Sequence, residues 1–301
     1  MPDFSSLCSD VIFHVLLFLE TKDVFTWLNV SKYWLDRCKL VPIKVSLNFK
    51  HPTMIEKLVE CPRLMNLTSL TLSEPAFGKF EDCGNLRERI VSCKQLQNVT
   101  SLGIRGYCRS ESWQLKLLSN PYLTKVTDLD LSTCFLEGDV ASSLSRIGNL
   151  KRLNISHNPR CNVESIAQSE FMSNLTSLNA HEVDRSDSNA KWIASSPFMK
   201  NLTELHLGCS NPKRRVLGVV YYIREEISNE GVASISNSSY MRNLKHLYLR
   251  DGKITNKGVK LLLDSEHLKS LEMLDLSGNG IVADEMTTRE GVHVIIDDDT
   301  M

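Results

Sequence analysis

The 301-residue sequence has no excess of charge: 35 basic side chains meet 36 acidic ones, for a formal net charge of −1. A chain so balanced offers no electrostatic footprint for nucleic acid or for an anionic membrane surface. It lacks long hydrophobic runs as well, and none approaches the roughly 20 apolar residues that cross a bilayer. The opening stretch MPDFSSLCSD has no basic segment leading into an apolar one, so no secretory signal is expected. Nine cysteines stand at positions 8, 38, 61, 83, 93, 108, 134, 161 and 209. The number is odd, the spacing irregular, and C-x-x-C does not occur, which argues against a disulfide framework and a zinc site. Reduced thiols in a cytoplasmic or nuclear protein are the expectation.

Catalytic constellations are missing too. The sequence contains no G-x-x-x-x-G-K-[ST], G-x-G-x-x-G, G-x-S-x-G or H-E-x-x-H. The eight histidines are scattered. His51 and His157 fall in loop-like stretches, and His181, His206 and His246 on strand-like ones. His206 and His246 are expected at matching positions of neighbouring strands, as surface neighbours rather than as a metal pair. No enzyme activity, metal or cofactor is expected.

What the sequence does have is a period. The phrase L-x-x-L-x-L recurs eight times. Its copies begin at Leu67, Val99, Val126, Leu150, Leu175, Leu202, Leu244 and Leu271, at spacings of 32, 27, 24, 25, 27, 42 and 27 residues. Most of these lie in or near the 20–29 window of leucine-rich repeats. Within each copy the last two apolar residues alternate with polar ones, as in LTSLTL and LKHLYL, which predicts a short strand with one face inward. A turn and a helix-like stretch follow, such as TNKGVKLLLDSEHL, where Val259, Leu262 and Leu263 are expected inward and Asn256 as the N-cap. One such unit cannot bury its own apolar face; stacked units bury a shared core. The fold class expected is α/β: a solenoid with a curved parallel sheet and outer helices over residues 67–283. Seven N-x-S/T sequons occur, most of them inside a repeated N-[LV]-T phrase, so the repeat accounts for them better than glycosylation does.

Three stretches depart from the rhythm. Residues 41–66 are expected as a linker or N-terminal cap. The 42-residue spacing holds an insertion at 210–226, either a rim loop or short hairpin, or a partner-contacting loop with a basic start and the pair Tyr221 and Tyr222. Residues 284–301 lose the pattern and are expected as an irregular C-terminal cap or tail.

Residues 1–40 differ again. In LCSDVIFHVLLFLETKDVFTWLNVSKYWLDRC, Leu7, Val11, Ile12, Val15, Leu16 and Leu19 fall on one helical face. Asp23 and Ser31 are placed to cap two further short helices. Three short helices bury too little surface to stand alone, so they need a partner. This stretch resembles the F-box, matching its usual phrasing at Leu7, Asp10, Val11, Ile12, Val15, Leu16, Leu19, Asp23, Val24, Val30, Lys32 and Trp34, with Cys8 in place of the usual proline. The repeats resemble those of ribonuclease inhibitor, and their I-x-x-x-G-V phrasing resembles that of bacterial GALA effectors. The resemblance implies a division of labour. The F-box docks on a Skp-type adaptor, and through it a cullin ubiquitin ligase, using Leu7, Ile12, Leu16, Leu19 and Trp34 as apolar anchors; the repeats hold an unknown protein substrate. The alternative is a leucine-rich-repeat regulator, such as a GTPase activator resembling the Ran type, with the N-terminal helices acting only as a solenoid cap. In either case strand residues between the inward leucines form the expected concave binding face: Arg105, Asp128, Asp130, Arg152, His206, His246, Tyr248 and Arg250, with Asp275 at its far end.

Overall fold

The computed structural model describes residues 43–49, 52–60, 66–73, 84–106, 113–184, 186–208, 213–216, 219–222 and 226–297. The chain divides into two compact units, residues 1–129 and 130–301. Residues 1–40, with the five adaptor-anchor candidates Leu7, Ile12, Leu16, Leu19 and Trp34, lie outside the described residues.

In the first unit three strands run parallel in chain order, β1 (Ile43–Asn48), β2 (Leu67–Ser73) and β3 (Ser101–Arg105). Helix α1 (Pro52–Glu60) links β1 to β2; α2 (Gly84–Val91) and a 3-10 turn at Lys94–Asn98 link β2 to β3; α3 (Trp113–Leu118) follows. The register stacks like on like: Val45, Leu70 and Leu102 are in line, as are Leu47, Leu72 and Ile104. The stretch 41–66, expected as a linker or cap, therefore carries a strand and a helix. Val45 and Leu47 are buried on the strand, and Ile55 and Leu58 on the helix. The stretch lacks the full triplet because Pro42 occupies the place of the first leucine, three residues before Val45. The Phe49 and Trp113 rings meet edge to face with centroids 5.2 Å apart, and the Arg87 guanidinium lies 5.6 Å from the Phe49 centroid.

The second unit has the same plan. Strand β4 (Asp128–Asp130), which spans the boundary, precedes α4 (Ala141–Leu144), β5 (Arg152–Asn154), α5 (Val163–Ala167), β6 (Ser177–Asn179), α6 (Ser186–Ser195) and β7 (Glu204–Gly208). A small antiparallel hairpin, β8 (Lys213–Val216) with β9 (Val219–Tyr222), fills the insertion and agrees with the hairpin reading. Then come α7 (Asn229–Ser236), β10 (His246–Arg250), α8 (Asn256–Leu263), β11 (Met273–Asp275) and β12 (His293–Ile295). The order β5-β6-β7-β10-β11-β12 is sequential and its described pairings are parallel, with the hairpin outside the sheet. This is the α/β leucine-rich-repeat fold: a parallel sheet with one strand and one short helix per repeat.

All 24 residues of the eight triplets are at most 3% exposed. Each buried leucine contributes on the order of 1.5–3 kcal/mol by leaving water. Val259, Leu262 and Leu263 are buried as expected, but the N-cap of α8 is Thr255, one residue before Asn256.

Polar side chains stitch each repeat to the one before. Thr100 Oγ1 donates to the Thr68 carbonyl at 3.2 Å, and Thr203 Oγ1 donates to that of Thr176 at 3.0 Å. Asn201 Nδ2 donates to the Ser173 carbonyl at 2.8 Å. The N-[LV]-T phrase is thus a between-repeat hydrogen-bonding device, which gives the sequons a structural reason. On the helical side Ser196, Ser238 and Ser265 each donate to a carbonyl of the preceding helical segment, at Ala167, Ala194 and Ser236, all at 2.5 Å.

The C-terminal stretch departs from expectation. Residues 284–301 were expected to be irregular, yet β12 pairs in parallel with β11, Val294 opposite Leu274. Arg289 reaches back to donate to the carbonyls of Leu263 and Leu268, at 3.1 and 2.8 Å. Burial of that guanidinium lowers its pKa.

Candidate binding surface

Because strand side chains alternate, the residues between the buried leucines face away from the core. The row between the second and third leucines reads Thr71 and Gly103 in the first unit, and Asp130, Asn154, Asn179, His206, Tyr248 and Asp275 in chain order thereafter. It divides into two chemistries. Asp130, Asn154, Asn179 and Asp275 each accept from the backbone N–H two residues on, at 2.9 to 3.1 Å. This is a local turn made by a short polar side chain. Every strand with such a residue is three residues long: β4, β5, β6 and β11. Where the row carries His206 or Tyr248 the strand runs on for five, through Gly208 and Arg250. The two long strands therefore bring rings and an arginine to the solvent face, while the short ones end in turns.

The turns repeat a second feature. Two residues past the third leucine the backbone is left-handed, at Thr133 (φ 60°), His157 (φ 61°), Glu182 (φ 55°), Asp251 (φ 53°) and Gly278 (φ 75°). His157 Nδ1 and Glu182 Oε2 are 2.8 Å apart, and His181 Nε2 is 3.9 Å from Glu182 Oε1. The His157 and His181 rings meet edge to face at 5.8 Å. The Glu182 side chain is only 6% exposed, so a carboxyl lies beneath two imidazoles. Burial lowers the His181 pKa from its ordinary value; Glu182 acts against that and His157 with it.

One strand on, His206 Nε2 is 2.7 Å from Glu204 Oε1. Burial pushes the Glu204 carboxyl up, but the hydrogen bond and charge of His206, with Ser177 and His246 adding to them, outweigh it and hold the pKa below its ordinary value. The His206 ring lies flat on Tyr248, with centroids 3.9 Å apart and planes 6° from parallel. Burial raises the Tyr248 pKa, and Glu204 and Asp275 raise it further.

The expected neighbours His206 and His246 are not in register. His206 pairs with Tyr248, and His246 with Glu204, because the two histidines stand one residue after and one residue before their central leucines. Among the expected site residues, Arg250 Nε lies 3.6 Å from Asp275 Oδ2, and Asp275 is buried rather than on the open face. Asp130 holds a turn, Arg152 is exposed on β5, and Asp128 accepts from Thr127 Oγ1 at 2.7 Å. Arg105 is exposed at the end of β3, in the first unit. The sequence reading left out His157 and Glu182. Their common place, two residues past the third leucine, was the signal that would have found them.

A separate recess of about 350 Å³ is lined by Arg160, Cys161, Asn162, Glu164, Asp184 and Trp192 among others. Burial pushes the Cys161 thiol there up to about 12, so it stands as the thiol at neutral pH. Among the described residues no group of three or more His, Cys, Asp or Glu could hold a metal ion, and no helix is long and apolar enough to cross a membrane.

No protein-family model matches the chain, and no curated protein matches it. Solved structures do. A Bacteroides fragilis protein is similar over 85% of this chain and 74% of its own, at 19% identity and a TM-score of 0.55. The internalin InlF of Listeria monocytogenes matches over 97% of this chain and 95% of its own, at 14% identity and a TM-score of 0.46. Human 5T4, also called Wnt-activated inhibitory factor 1 or trophoblast glycoprotein, matches over 67% and 70%, at 18% identity and a TM-score of 0.47. At 19% identity the likeness to the Bacteroides fragilis protein is one of fold.

Proposed function

We propose that this protein is a non-catalytic receptor in which the strand face holds a protein partner and the N-terminal forty residues couple that partner to a Skp-type adaptor and a cullin ubiquitin ligase. The observation that carries the binding reading is the stacked pair His206 and Tyr248, set among Glu204, Arg250 and the two imidazoles beside Glu182. Repeat solenoids use their long sheet faces to bind other chains. Rings and arginine are the residue types that dominate such interfaces. The ligase coupling rests on the F-box resemblance at Leu7, Ile12, Leu16, Leu19 and Trp34. A cytoplasmic or nuclear site belongs to the same reading, supported by the free buried thiols Cys93 and Cys161.

The test is affinity purification of the tagged full chain. Wild type should bring down the Skp-type adaptor together with a second protein. Tyr248→Ala combined with Arg250→Ala should keep the adaptor and lose the second protein. If wild type captures no adaptor, the ligase reading fails and the plain regulator reading takes its place.

A further inference from the structure

Two asparagines of the second unit hold equivalent places, three residues past the last apolar residue of a triplet: Asn158 after Ile155, and Asn279 after Leu276. Each side-chain amide latches its turn to the repeat before. Asn279 Nδ2 donates to the carbonyls of Leu249 and Leu276 at 2.7 and 2.8 Å, and more weakly to that of Ser277 at 3.4 Å; its Oδ1 accepts from Ile254 N–H at 3.0 Å. Asn158 does the same toward Leu131, Ile155 and Ser156. What differs is the next residue. Asn158 precedes Pro159, whereas Asn279 precedes Gly280, the one Asn-Gly pair in the 301 residues. Asn158 is wholly buried, but Asn279 is half-buried and Gly280 is exposed. A Cβ added at Gly280 would meet nothing within 4 Å. Asn279 also lies near the end of the sheet, where β12 is last in the strand order of the described residues. An end repeat packs against a neighbour on one side only, so it opens more readily than an inner one.

We propose that Asn279 is a modification site: when the last repeat opens, water converts its amide to a carboxylate by way of the Gly280 nitrogen, and the carboxylate keeps that repeat from closing again. The Gly280 backbone nitrogen attacks Asn279 Cγ and gives up its proton. The Cγ–Nδ2 bond breaks, and the amide nitrogen leaves as ammonia with that proton. Water then adds to either carbonyl of the cyclic imide, breaks its bond to the Gly280 nitrogen and returns a proton to it. Opening at Cγ gives aspartate; opening at the main-chain carbonyl gives isoaspartate. One water is consumed, one ammonia is released, and nothing is oxidised or reduced. Glycine favours the attack because, without a Cβ, its backbone turns freely toward Cγ. Proline has no N–H to give up, so the neighbour of Asn158 bars the same reaction there. In the closed repeat the hydrogen bonds hold Cγ in place, and local opening releases it. The consequence follows from the groups exchanged. An amide nitrogen offers two N–H donors and a carboxylate offers none. The converted side chain sets negative oxygen against the carbonyls of Leu249 and Leu276, which lose their donor. Isoaspartate also lengthens the main chain between β11 and β12 by a methylene.

The test is ageing of the full chain at body temperature and mildly alkaline pH, followed by digestion and peptide mass mapping that separates the asparaginyl, aspartyl and isoaspartyl forms. Both product forms should accumulate at Asn279 and neither at Asn158. Unfolding in urea should speed conversion at Asn279 and still spare Asn158. Gly280→Ala, for which there is room, should fold as wild type does and lose most of the conversion. Hydrogen–deuterium exchange reads the latch itself. Ion exchange separates converted molecules by their added negative charge. In these, peptides spanning β11 and β12 should exchange faster than in fresh protein, and peptides spanning β5 to β7 should exchange at the same rate. Asn279→Asp, made directly, should show the same pattern; should that variant fail to fold, the converted wild-type molecules, folded before ageing, decide the matter. Conversion at Asn158 equal to that at Asn279, no conversion at Asn279 in the native chain, conversion no faster in urea, equal conversion in Gly280→Ala, or unchanged exchange in the converted molecules would each overturn the proposal.

Discussion

The imidazole of His206 and the phenol of Tyr248 lie face to face, 3.9 Å between centroids and 6° from parallel, because β7 and β10 pair in parallel with the two residues opposite each other. Parallel pairing puts side chains of adjacent strands at one strand spacing, so two flat rings in register stack. The pair costs little to lose in stability, about 0.5–1.5 kcal/mol. Its loss from a binding face should matter more. Tyr248→Ala is expected to weaken partner capture by about 2 kcal/mol or more, near thirtyfold, with a small fall in Tm. Tyr248→Phe, which keeps the ring, should retain most of the binding. Equal loss with both variants would assign the effect to the hydroxyl.

Leu205 is the central leucine of its triplet, fully buried and flanked in register by Leu178 and Leu247. Three stacked leucines leave no room for collapse around a shortened side chain. Leu205→Ala should cost about 2–5 kcal/mol. Urea unfolding followed by circular dichroism measures this, and a loss below about 1 kcal/mol would place Leu205 outside the core.

Asn158 carries more hydrogen bonds than its small size suggests. Its Nδ2 donates to the carbonyls of Leu131, Ile155 and Ser156 at 2.9, 2.8 and 3.1 Å, and its Oδ1 accepts from Cys134 and Leu136 N–H at 2.9 and 3.0 Å. The side chain is wholly buried, so truncation leaves backbone groups without water to replace it. Asn158→Ala should cost about 3 kcal/mol or more, against about 1 kcal/mol for Asn154→Ala, which removes the half-buried Oδ1 bond to Ser156 N–H. Paired denaturation curves give the difference directly.

The repeat was legible because its determinant is local: an apolar residue every second position, restated every 24 to 32 residues over most of the chain. Burial then followed, and all eight triplets are inside. What escaped the pattern was what pairing alone decides. Strand β1 has Val45 and Leu47 but Pro42 where a leucine is usual, and β12 has His293–Ile295 with no triplet at all; each is a strand because a neighbour offers an open edge. The partners of His206 and His246 came out exchanged because one residue of register moves a side chain to a different neighbour. The roles of His157 and Glu182 depend on left-handed turns that no hydrophobic period encodes. Asn158 and Asn279 hold equivalent places three residues past the third leucine, and both donate to the carbonyl of the preceding repeat's third leucine.

The thiols supply a test of chemistry without a partner. Cys93, Cys134 and Cys161 are buried. Burial raises the Cys93 thiol against the opposing Gln95 contact and Arg89 charge, and pushes Cys161 to about 12. Thiolate, not thiol, reacts with alkylating agents. Native protein at neutral pH should therefore leave all three unmodified by iodoacetamide, and unfolding in urea should expose them. Peptide mass mapping reads each site separately. Fast native labelling at Cys161 would place that side chain on the surface.

Acid should act through His181. Its pKa is lowered in the folded chain, burial being the main cause, so the unfolded chain binds the proton more readily. The stability tied to this group is complete above the unfolded value near 6.5 and is lost as pH falls through the lower folded value. His181→Gln removes that proton-linked loss. The fall in Tm between about pH 7.5 and about pH 5.5 should be smaller in the variant than in wild type. A larger fall would mean that the Glu182 attraction, not burial, governs the site.

The adaptor reading makes the sharpest demand on the residues ahead of the sheet. If Leu16 and Trp34 are interface anchors, Leu16→Ala should abolish adaptor capture, since truncating a buried anchor costs about 2 kcal/mol or more. The repeats should stay folded, because each depends mainly on its neighbours and the leucines that bury the second unit lie more than a hundred residues further along. Capture of the second protein at the strand face should then survive in Leu16→Ala, just as adaptor capture survives in Tyr248→Ala with Arg250→Ala. Two variants that each remove one partner and spare the other establish two independent surfaces. If deleting residues 1–40 instead lowers Tm without changing any partner, that stretch serves as a cap, and the protein is a leucine-rich-repeat binder with no ligase behind it.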